Sequence, residues 1–363
     1  MRIGVLGAGQ LGRMLALAGA PLGLHCSFYD PAPASPASWY GQQQVGHYND
    51  TEALEAWRVG LSCITYEFEN VPVAAAELLN QRGLVYPPPL ALSTAQDRLV
   101  EKQFFNQLGI ATAPFVAVES LVDLEQAAQQ LGLPAILKTR RMGYDGKGQY
   151  VLRSAADLAE AWAHLAGQDL ILEGFVPFEC ELSILAARSR SGEVACYPLV
   201  QNWHREGILR RSVVPVATIP AALQAQAESY ARRALEALEY VGVLAIELFQ
   251  VGDRLLVNEM APRVHNSGHW SIEGAETSQF EQHLRAILGW PLGSVALRGP
   301  TAMINLIGRP PQIDQVLAVP GAHLHLYDKL SRSGRKIGHI TICAANSDLL
   351  WQRIAAIEAL LLE

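Results

Sequence analysis

The sequence predicts an α/β and α+β protein built from three units. The first is a parallel α/β layer, the second a larger α+β body, and the third a small C-terminal α/β domain. Three observations carry this reading. Through residues 1–95, short apolar runs alternate with helical patterns, as in a parallel sheet. At Pro87-Pro88-Pro89 that rhythm is interrupted. Beyond the prolines, apolar runs are paired around glycine turns, at Gly192 and at Gly252-Asp253, as in antiparallel hairpins. The expected units are 1–95, 96–290 with a subdomain at 135–200, and 291–363.

In the first unit, 2–6 reads as a buried strand and Gly7-Ala8-Gly9-Gln10-Leu11-Gly12 turns it into a helix over 10–20. A strand at 24–29 ends at Tyr29-Asp30, completing a dinucleotide-binding fingerprint and a Rossmann-like start. Thr51 is placed to cap a helix. A strand at 61–66 ends in Glu67-Phe68-Glu69-Asn70, Pro72 opens another helix, and Val85 lies in a short strand.

In the middle unit a helix spans 96–108, contains Arg98 and Lys102, and ends at Gly109. Strand 115–118, helix 121–131 capped by Ser120, and strand 135–138 follow. Ser154 caps the next helix. Strands are expected at 169–173, 181–188, 194–199 and 208–214, with His204 in a polar loop between the last two. A helix at 221–240 precedes the strand pair 243–250 and 254–259, and a helix covers 277–288. The last unit has strands at 302–307, 322–327 and 337–343 and a helix over 348–362.

The totals narrow the class. Half of the 363 residues are hydrophobic and 17% are charged, which excludes a disordered chain. A net charge of −7 argues against general nucleic-acid binding, so an anionic ligand needs local cations. Cys26, Cys63, Cys180, Cys196 and Cys343 have no CxxC spacing, which fits a reducing cytoplasm. No apolar stretch approaches the roughly 18 residues of a membrane span.

The chemistry centres on Ala135 to Val151. A buried strand delivers Lys138 to a loop with Gly143, Gly146 and Gly148 and the cations Arg140, Arg141 and Lys147. Glycines let backbone N–H groups close around phosphate oxygens, and the cations balance a triphosphate. No Gly-Lys-Ser/Thr precedes a helix, so this is a lid rather than a Walker loop. Glu247 and Glu259 each interrupt an apolar strand, where a buried carboxylate needs a positive partner, such as a divalent cation. A two-residue turn at Gly252-Asp253 would pair Glu247 with Asn258 and send Glu259 to the opposite face. Both carboxylates reach one site only if a bulge or an odd loop intervenes, and one is expected. The polar run 263–270, Arg-Val-His-Asn-Ser-Gly-His-Trp, suits an oxyanion site.

Lys138, the glycine loop, Glu247 and Glu259 together resemble the ATP-grasp fold, with a pre-grasp unit ahead of it. A narrower resemblance covers nearly the whole chain. It rests on 9–15 (Gly-Gln-Leu-Gly-Arg-Met-Leu), 143–149 (Gly-Tyr-Asp-Gly-Lys-Gly-Gln), 258–270 (Asn-Glu-Met-Ala-Pro-Arg-Val-His-Asn-Ser-Gly-His-Trp), 303–308 (Met-Ile-Asn-Leu-Ile-Gly) and 327–339 (Tyr-Asp-Lys…Gly-Arg-Lys-Ile-Gly-His). These resemble the N5-carboxyaminoimidazole ribonucleotide synthetase family. Ala261 stands where many ATP-grasp relatives carry the Asn of Glu-x-Asn, which argues against biotin carboxylases and peptide-type ligases.

The resemblance implies ATP and Mg2+ (two ions) as cofactors, and bicarbonate and aminoimidazole ribonucleotide as further small-molecule substrates. It implies a homodimer that binds neither nucleic acid nor membrane. Glu247 and Glu259 would hold the metal. Arg98 and Lys138 would meet the ATP phosphates, under a lid formed by Gly143, Tyr144, Asp145, Gly146, Lys147, Gly148 and Gln149. Glu173, Gly174, Phe175 and Val176 would read adenine and Glu181 the ribose, with His204 and Asn258 nearby. Tyr144, Asp145 and Lys147 would also face the carboxylation site, where Arg263 and Asn266 hold carboxyphosphate. Gln10, Leu11, Glu69, His265, Ser267, Lys329 and Arg335 would bind the ribonucleotide, with Lys329 and Arg335 on its 5′-phosphate. Three alternatives stay open: a nicotinamide or flavin oxidoreductase suggested by the fingerprint, a formate-dependent relative, and a catalytically dead nucleotide binder.

Overall fold

The computed structural model describes residues 1–143, 146–216 and 218–361. Tyr144 and Asp145 therefore lie outside the described residues. The first unit is a four-stranded parallel sheet in the order Gln42–Val45, His25–Asp30, Arg2–Leu6, Cys63–Tyr66. Its strands Arg2–Leu6, His25–Asp30 and Cys63–Tyr66 are buried because Ile3, Val5, Phe28 and Ile64 meet helices on both faces. The strand Gln42–Val45 escaped the sequence reading because an edge strand of three glutamines has no apolar pattern. The helix Thr51–Trp57 is capped by Asp50, whose side chain accepts from the Ala53 N–H, rather than by Thr51. Pro89 opens an unforeseen helix, Pro89–Ala95, because a proline fits the first helical turn.

A second, antiparallel sheet, which carries the loop read as a lid, has the order Phe115–Val118, Leu170–Gly174, Ala135–Thr139, Gln149–Leu152, while Cys180–Arg188 belongs to the central sheet. Helices Leu121–Leu131 and Leu158–Leu165 cover it, burying Leu124, Leu137, Ala161 and Leu172. Lys138 pairs with Gln149, so the glycine loop leaves the sheet from a closed hairpin.

The body is an antiparallel nine-stranded sheet running from Arg254–Ala261 at one edge through Gly242–Val251 and Cys180–Arg188 to Thr301–Ile307, Lys336–Cys343 and Ala322–Leu326. The three C-terminal strands thus extend the central sheet, and helix Ser347–Leu361 packs on them through Leu350, Ile354 and Ile357. On one face, helices Arg98–Gln107 and Ala221–Ala237 bury Phe105, Ala227 and Leu235 against Ile184 and Ile246. On the other, helix Gln279–Leu288 and the first unit share one core with Leu185 and Ala245. This arrangement brings the C-terminal ends of the first sheet, the lid loop and the edge of the central sheet to one cleft. No helix among the described residues is long and apolar enough to cross a membrane.

Candidate active site

The cleft has a volume of about 530 Å³ and draws its walls from all three units. Its floor is the strand pair Gly242–Val251 and Arg254–Ala261. The turn pairs Val251 with Arg254, and the ladder stays regular to Leu248–Val257. There it shifts, Asn258 is left over, and Glu247 faces Glu259 directly. The expected bulge is present, and it puts both carboxylates on one face.

Burial, and then the charge of Glu259, pushes Glu247 up to about 7. Burial also works to raise Glu259, but the Arg98 guanidinium, 2.7 Å away, holds it below the usual carboxylate range. His265 Nε2 lies 3.6 Å from Glu247 Oε1, and burial takes that imidazole down to about 3, so it is neutral there. Two like charges facing each other with a neutral neighbour fit a divalent cation, whose oxygen ligands would be Glu247 and Glu259. Beside them, Glu181 Oε2 and His204 Nδ1 are 2.8 Å apart. Burial opposes the imidazolium, but the Glu181 hydrogen bond and the Glu247 charge raise His204 above its usual value. His204 was expected in a loop; it lies in the strand Val200–Arg205, beside a register shift at Trp203/His204.

On the lid side, Lys138 lines the cleft and its Nζ donates to Glu173 Oε2 at 2.8 Å. Glu173 is buried, yet Lys138 and Lys102 hold it down to about 2. Its side chain therefore turns inward to the lysines. The N–H groups of Gly174 and Phe175 donate to Pro114 and Pro134 carbonyls, so they are already bonded. Phe175 is half exposed, Val176 is buried, and neither lines the cleft. A stacked aromatic pair, Phe178 and Phe249 at 4.6 Å, walls the cleft instead, and no sequence pattern marked it.

Two of the loop cations are engaged at its root. Arg140 donates twice to Asp97, at 3.0 and 2.7 Å, and Arg141 lies 3.2 Å from the same carboxylate. This corrects the reading of Arg140 and Arg141 as phosphate cations. Gly148 needs its φ of +70° and its missing Cβ, which would meet Thr139 Oγ1 at 2.5 Å. Gly143, Gly146 and Gln149 line the cleft; Lys147 is exposed.

The polar run folds over the floor. Arg263 pairs with Glu69, bringing together two residues that were assigned separately. Gln279, fully buried, accepts from the His265 N–H at 2.8 Å and donates to its carbonyl at 2.7 Å. Ser267 is fully buried with its hydroxyl 2.9 Å from His265 Nδ1, so it holds the imidazole and does not line the cleft. The carboxamides of Asn266 and Asn305 bond each other, and Asn305 also donates to the Leu209 carbonyl. Sequence reasoning missed Gln279 and Asn305, although Asn305 belongs to the quoted run 303–308.

At the N-terminal wall, Gln10 and Leu11 line the cleft and Lys329 donates to Gln10 Oε1. Lys336 also lines it, whereas Arg335 donates to the Leu330 carbonyl and stays outside. The fingerprint turn is filled from within. Glu67 accepts from the Gly9 and Gly12 N–H groups, and Asp30 accepts from Ala8 at 2.9 Å. A Cβ on Gly9 would lie 2.5 Å from Glu67 Oε1. The N–H groups that a pyrophosphate would need are thus bonded to carboxylates, which removes the dinucleotide alternative. A larger cavity of about 960 Å³, behind Thr301–Ile307 and the last helix, contains none of the predicted site residues.

Comparison with known proteins gives the family. Residues 1–96 match the ribonucleotide synthetase preATP-grasp domain, 103–280 the ATP-grasp domain, and 301–353 the phosphoribosylaminoimidazole carboxylase C-terminal domain. N5-carboxyaminoimidazole ribonucleotide synthase of Pseudomonas aeruginosa is 52% identical over 361 residues, covering 99% of each chain. The crystal structure of the synthetase from Thermus thermophilus is 57% identical with a TM-score of 0.96 and covers 99% of both chains. The Aspergillus clavatus synthase, solved with ADP and 5-aminoimidazole ribonucleotide, is 31% identical with a TM-score of 0.92 over 99% of this chain and 98% of that one.

Proposed function

The chain belongs to the N5-carboxyaminoimidazole ribonucleotide synthase family, ligases that form a C–N bond on the ATP-grasp fold, and from that membership we propose that it carboxylates 5-aminoimidazole ribonucleotide with bicarbonate and ATP. The observation that supports this most is the bulge at Asn258. It sets Glu247 beside Glu259 under a lid lysine on one side and the Arg263–Asn266 run on the other.

Bicarbonate oxygen attacks the γ-phosphorus of ATP, ADP leaves, and carboxyphosphate forms. The amine nitrogen of the ribonucleotide then bonds to the carboxyl carbon, phosphate leaves, and the nitrogen loses a proton. Lys138 and Arg98 take the ATP phosphates, and Glu181 with His204 takes the ribose. Glu247 and Glu259 would hold Mg2+, which would supply positive charge to offset that on the phosphates. Arg263 and Asn266 orient carboxyphosphate, and the buried, neutral His265 offers a hydrogen bond without adding charge. Tyr144, Asp145 and Lys147 belong to the lid, which excludes water from a reactive acyl phosphate. Gln10, Leu11 and Lys329 hold the ribonucleotide. We assign the protein to the cytoplasm, as a homodimer, in purine biosynthesis.

The test is ADP release with ATP, bicarbonate and aminoimidazole ribonucleotide omitted in turn. All three should be required. Release that needs formate instead of bicarbonate, or that ignores the ribonucleotide, would overturn the assignment.

A further inference from the structure

The strand Arg254–Ala261 is the edge of the nine-stranded sheet, and among the described residues the only strand-like pairing of its outer N–H and C=O groups is an isolated bridge from Thr112 to Val257. It is also the strand that bulges at Asn258, where the ladder is weakest. Such groups need partners when buried.

One face of helix Arg98–Gln107 supplies them. Glu101 Oε1 accepts from the Met260 N–H at 2.6 Å, and Lys102 Nζ donates to the Asn258 carbonyl at 3.2 Å. The chain after that helix continues the edge, with the Ala111 carbonyl accepting from the Val257 N–H at 2.8 Å. Residues 98, 101 and 102 fall on one helical face, so Arg98 reaches the Glu259 carboxylate from the same side. Glu101 and Lys102 are 2% and 1% exposed, and burying either charge is costly without a specific partner. Lys102 Nζ also stands 3.3 Å from Glu173, which holds Lys138 in the lid. One helix face therefore grips the bulged strand on both sides of Glu259 and touches the root of the lid.

We propose that Glu101 and Lys102 are positioning residues for the metal carboxylates: they hold the bulge at Asn258 in the one register that turns Glu259 towards Glu247. The inference rests on reading Glu247 and Glu259 as metal ligands. If the bulge relaxed, the two-residue turn would pair Glu247 with Asn258 and carry Glu259 to the opposite face. An outer shell that fixes a ligand typically changes metal affinity by about 10- to 100-fold when removed.

The experiment uses the full chain with Mn2+ and a non-hydrolysable ATP analogue, reading free Mn2+ by electron paramagnetic resonance. Glu101→Ala should weaken Mn2+ binding by about tenfold or more. Glu101→Gln, whose amide oxygen still accepts from Met260, should stay within about threefold of wild type. Hydrogen exchange at the Met260 amide should accelerate in Glu101→Ala and not in Glu101→Gln. Lys102→Met, which removes the other grip, should also weaken Mn2+ and serves if Glu101→Ala does not fold. Mn2+ binding that is unchanged in both Glu101→Ala and Lys102→Met overturns the inference, as does an equal loss in Glu101→Gln and Glu101→Ala. Glu259→Gln separates the two readings. If it retains Mn2+, the metal assignment fails; if it loses Mn2+ while the helix variants keep it, only the positioning role fails.

Discussion

The carboxamides of Asn266 and Asn305 bond each other twice, Nδ2 to Oδ1 at 3.0 Å in one direction and 2.6 Å in the other. Asn305 comes from the C-terminal strand Thr301–Ile307, and its second N–H is held by the Leu209 carbonyl. The pair therefore fixes which way the Asn266 amide points into the cleft, and it makes the C-terminal strands part of the site.

Replacing Asn305 with Leu, similar in size but without hydrogen bonds, should free the Asn266 amide. Misplacing a substrate-facing group by about 1 Å can cost roughly 100-fold. A fall of about 10- to 100-fold in kcat/KM for the ribonucleotide is expected, with KM for ATP little changed. Asn305→Asp should be nearly as poor, since a carboxylate cannot donate to Asn266 or Leu209. Steady-state kinetics with each substrate varied would check this, and an unchanged kcat/KM in both variants would refute it.

Glu259→Gln keeps the shape of the side chain and removes its charge. Arg98 would lose its ion pair at 2.7 Å, and Glu247 would lose the neighbour that faces it across the bulge. Turnover should drop by about 10²- to 10³-fold or more, while far-ultraviolet circular dichroism stays as in wild type. Substantial remaining ADP release would take Glu259 out of the metal site.

The bulge was legible in the sequence because two facts conflicted. Two carboxylates in apolar strands needed one ligand, yet a two-residue turn put them on opposite faces, and only an extra residue reconciles them. Lys138, the glycines and the polar run 263–270 were likewise visible as local chemistry. What stayed hidden depends on contacts between distant segments. Glu101 meets Met260, Asn305 meets Asn266, and Gln279 meets His265, and no local spacing encodes those meetings. Arg140 and Arg141 read as phosphate cations because their partner Asp97 lies more than 40 residues away in sequence. The strand Gln42–Val45 was hidden for the opposite reason: an edge strand has no apolar face to display.

Lys329 links the C-terminal loop to the start of the first helix through Gln10. A ribonucleotide phosphate bound there would meet both ends of the chain. Lys329→Ala should raise KM for the ribonucleotide by about tenfold or more, the scale of a charge-assisted hydrogen bond. KM for ATP should change little, since Lys138 and Arg98, not Lys329, are assigned to its phosphates. Equal increases for both substrates would place Lys329 elsewhere in the mechanism.

His283 ties the first unit to the central sheet. The Val243 N–H donates to its Nδ1 at 3.1 Å, so Nδ1 is the acceptor and Nε2 carries the proton that reaches Thr65 Oγ1 at 2.9 Å. That arrangement holds only for neutral imidazole, and burial takes His283 from 6.5 down to about 3. The unfolded chain therefore binds a proton that the folded chain refuses between those two values. This contribution is fully present above pH 6.5 and is lost as pH falls towards about 3. Buried His265, His269 and His339 act in the same direction, whereas Glu101 and Glu247, raised to about 8 and about 7, oppose them at higher pH. The difference between wild type and His283→Gln isolates one group, because a glutamine amide can make both hydrogen bonds without titrating. Urea unfolding across this range should show the wild type losing about 2–3 kcal/mol more than the variant by about pH 4.5. Parallel pH profiles for the two proteins would mean that His283 takes up its proton as readily in the folded state as in the unfolded chain.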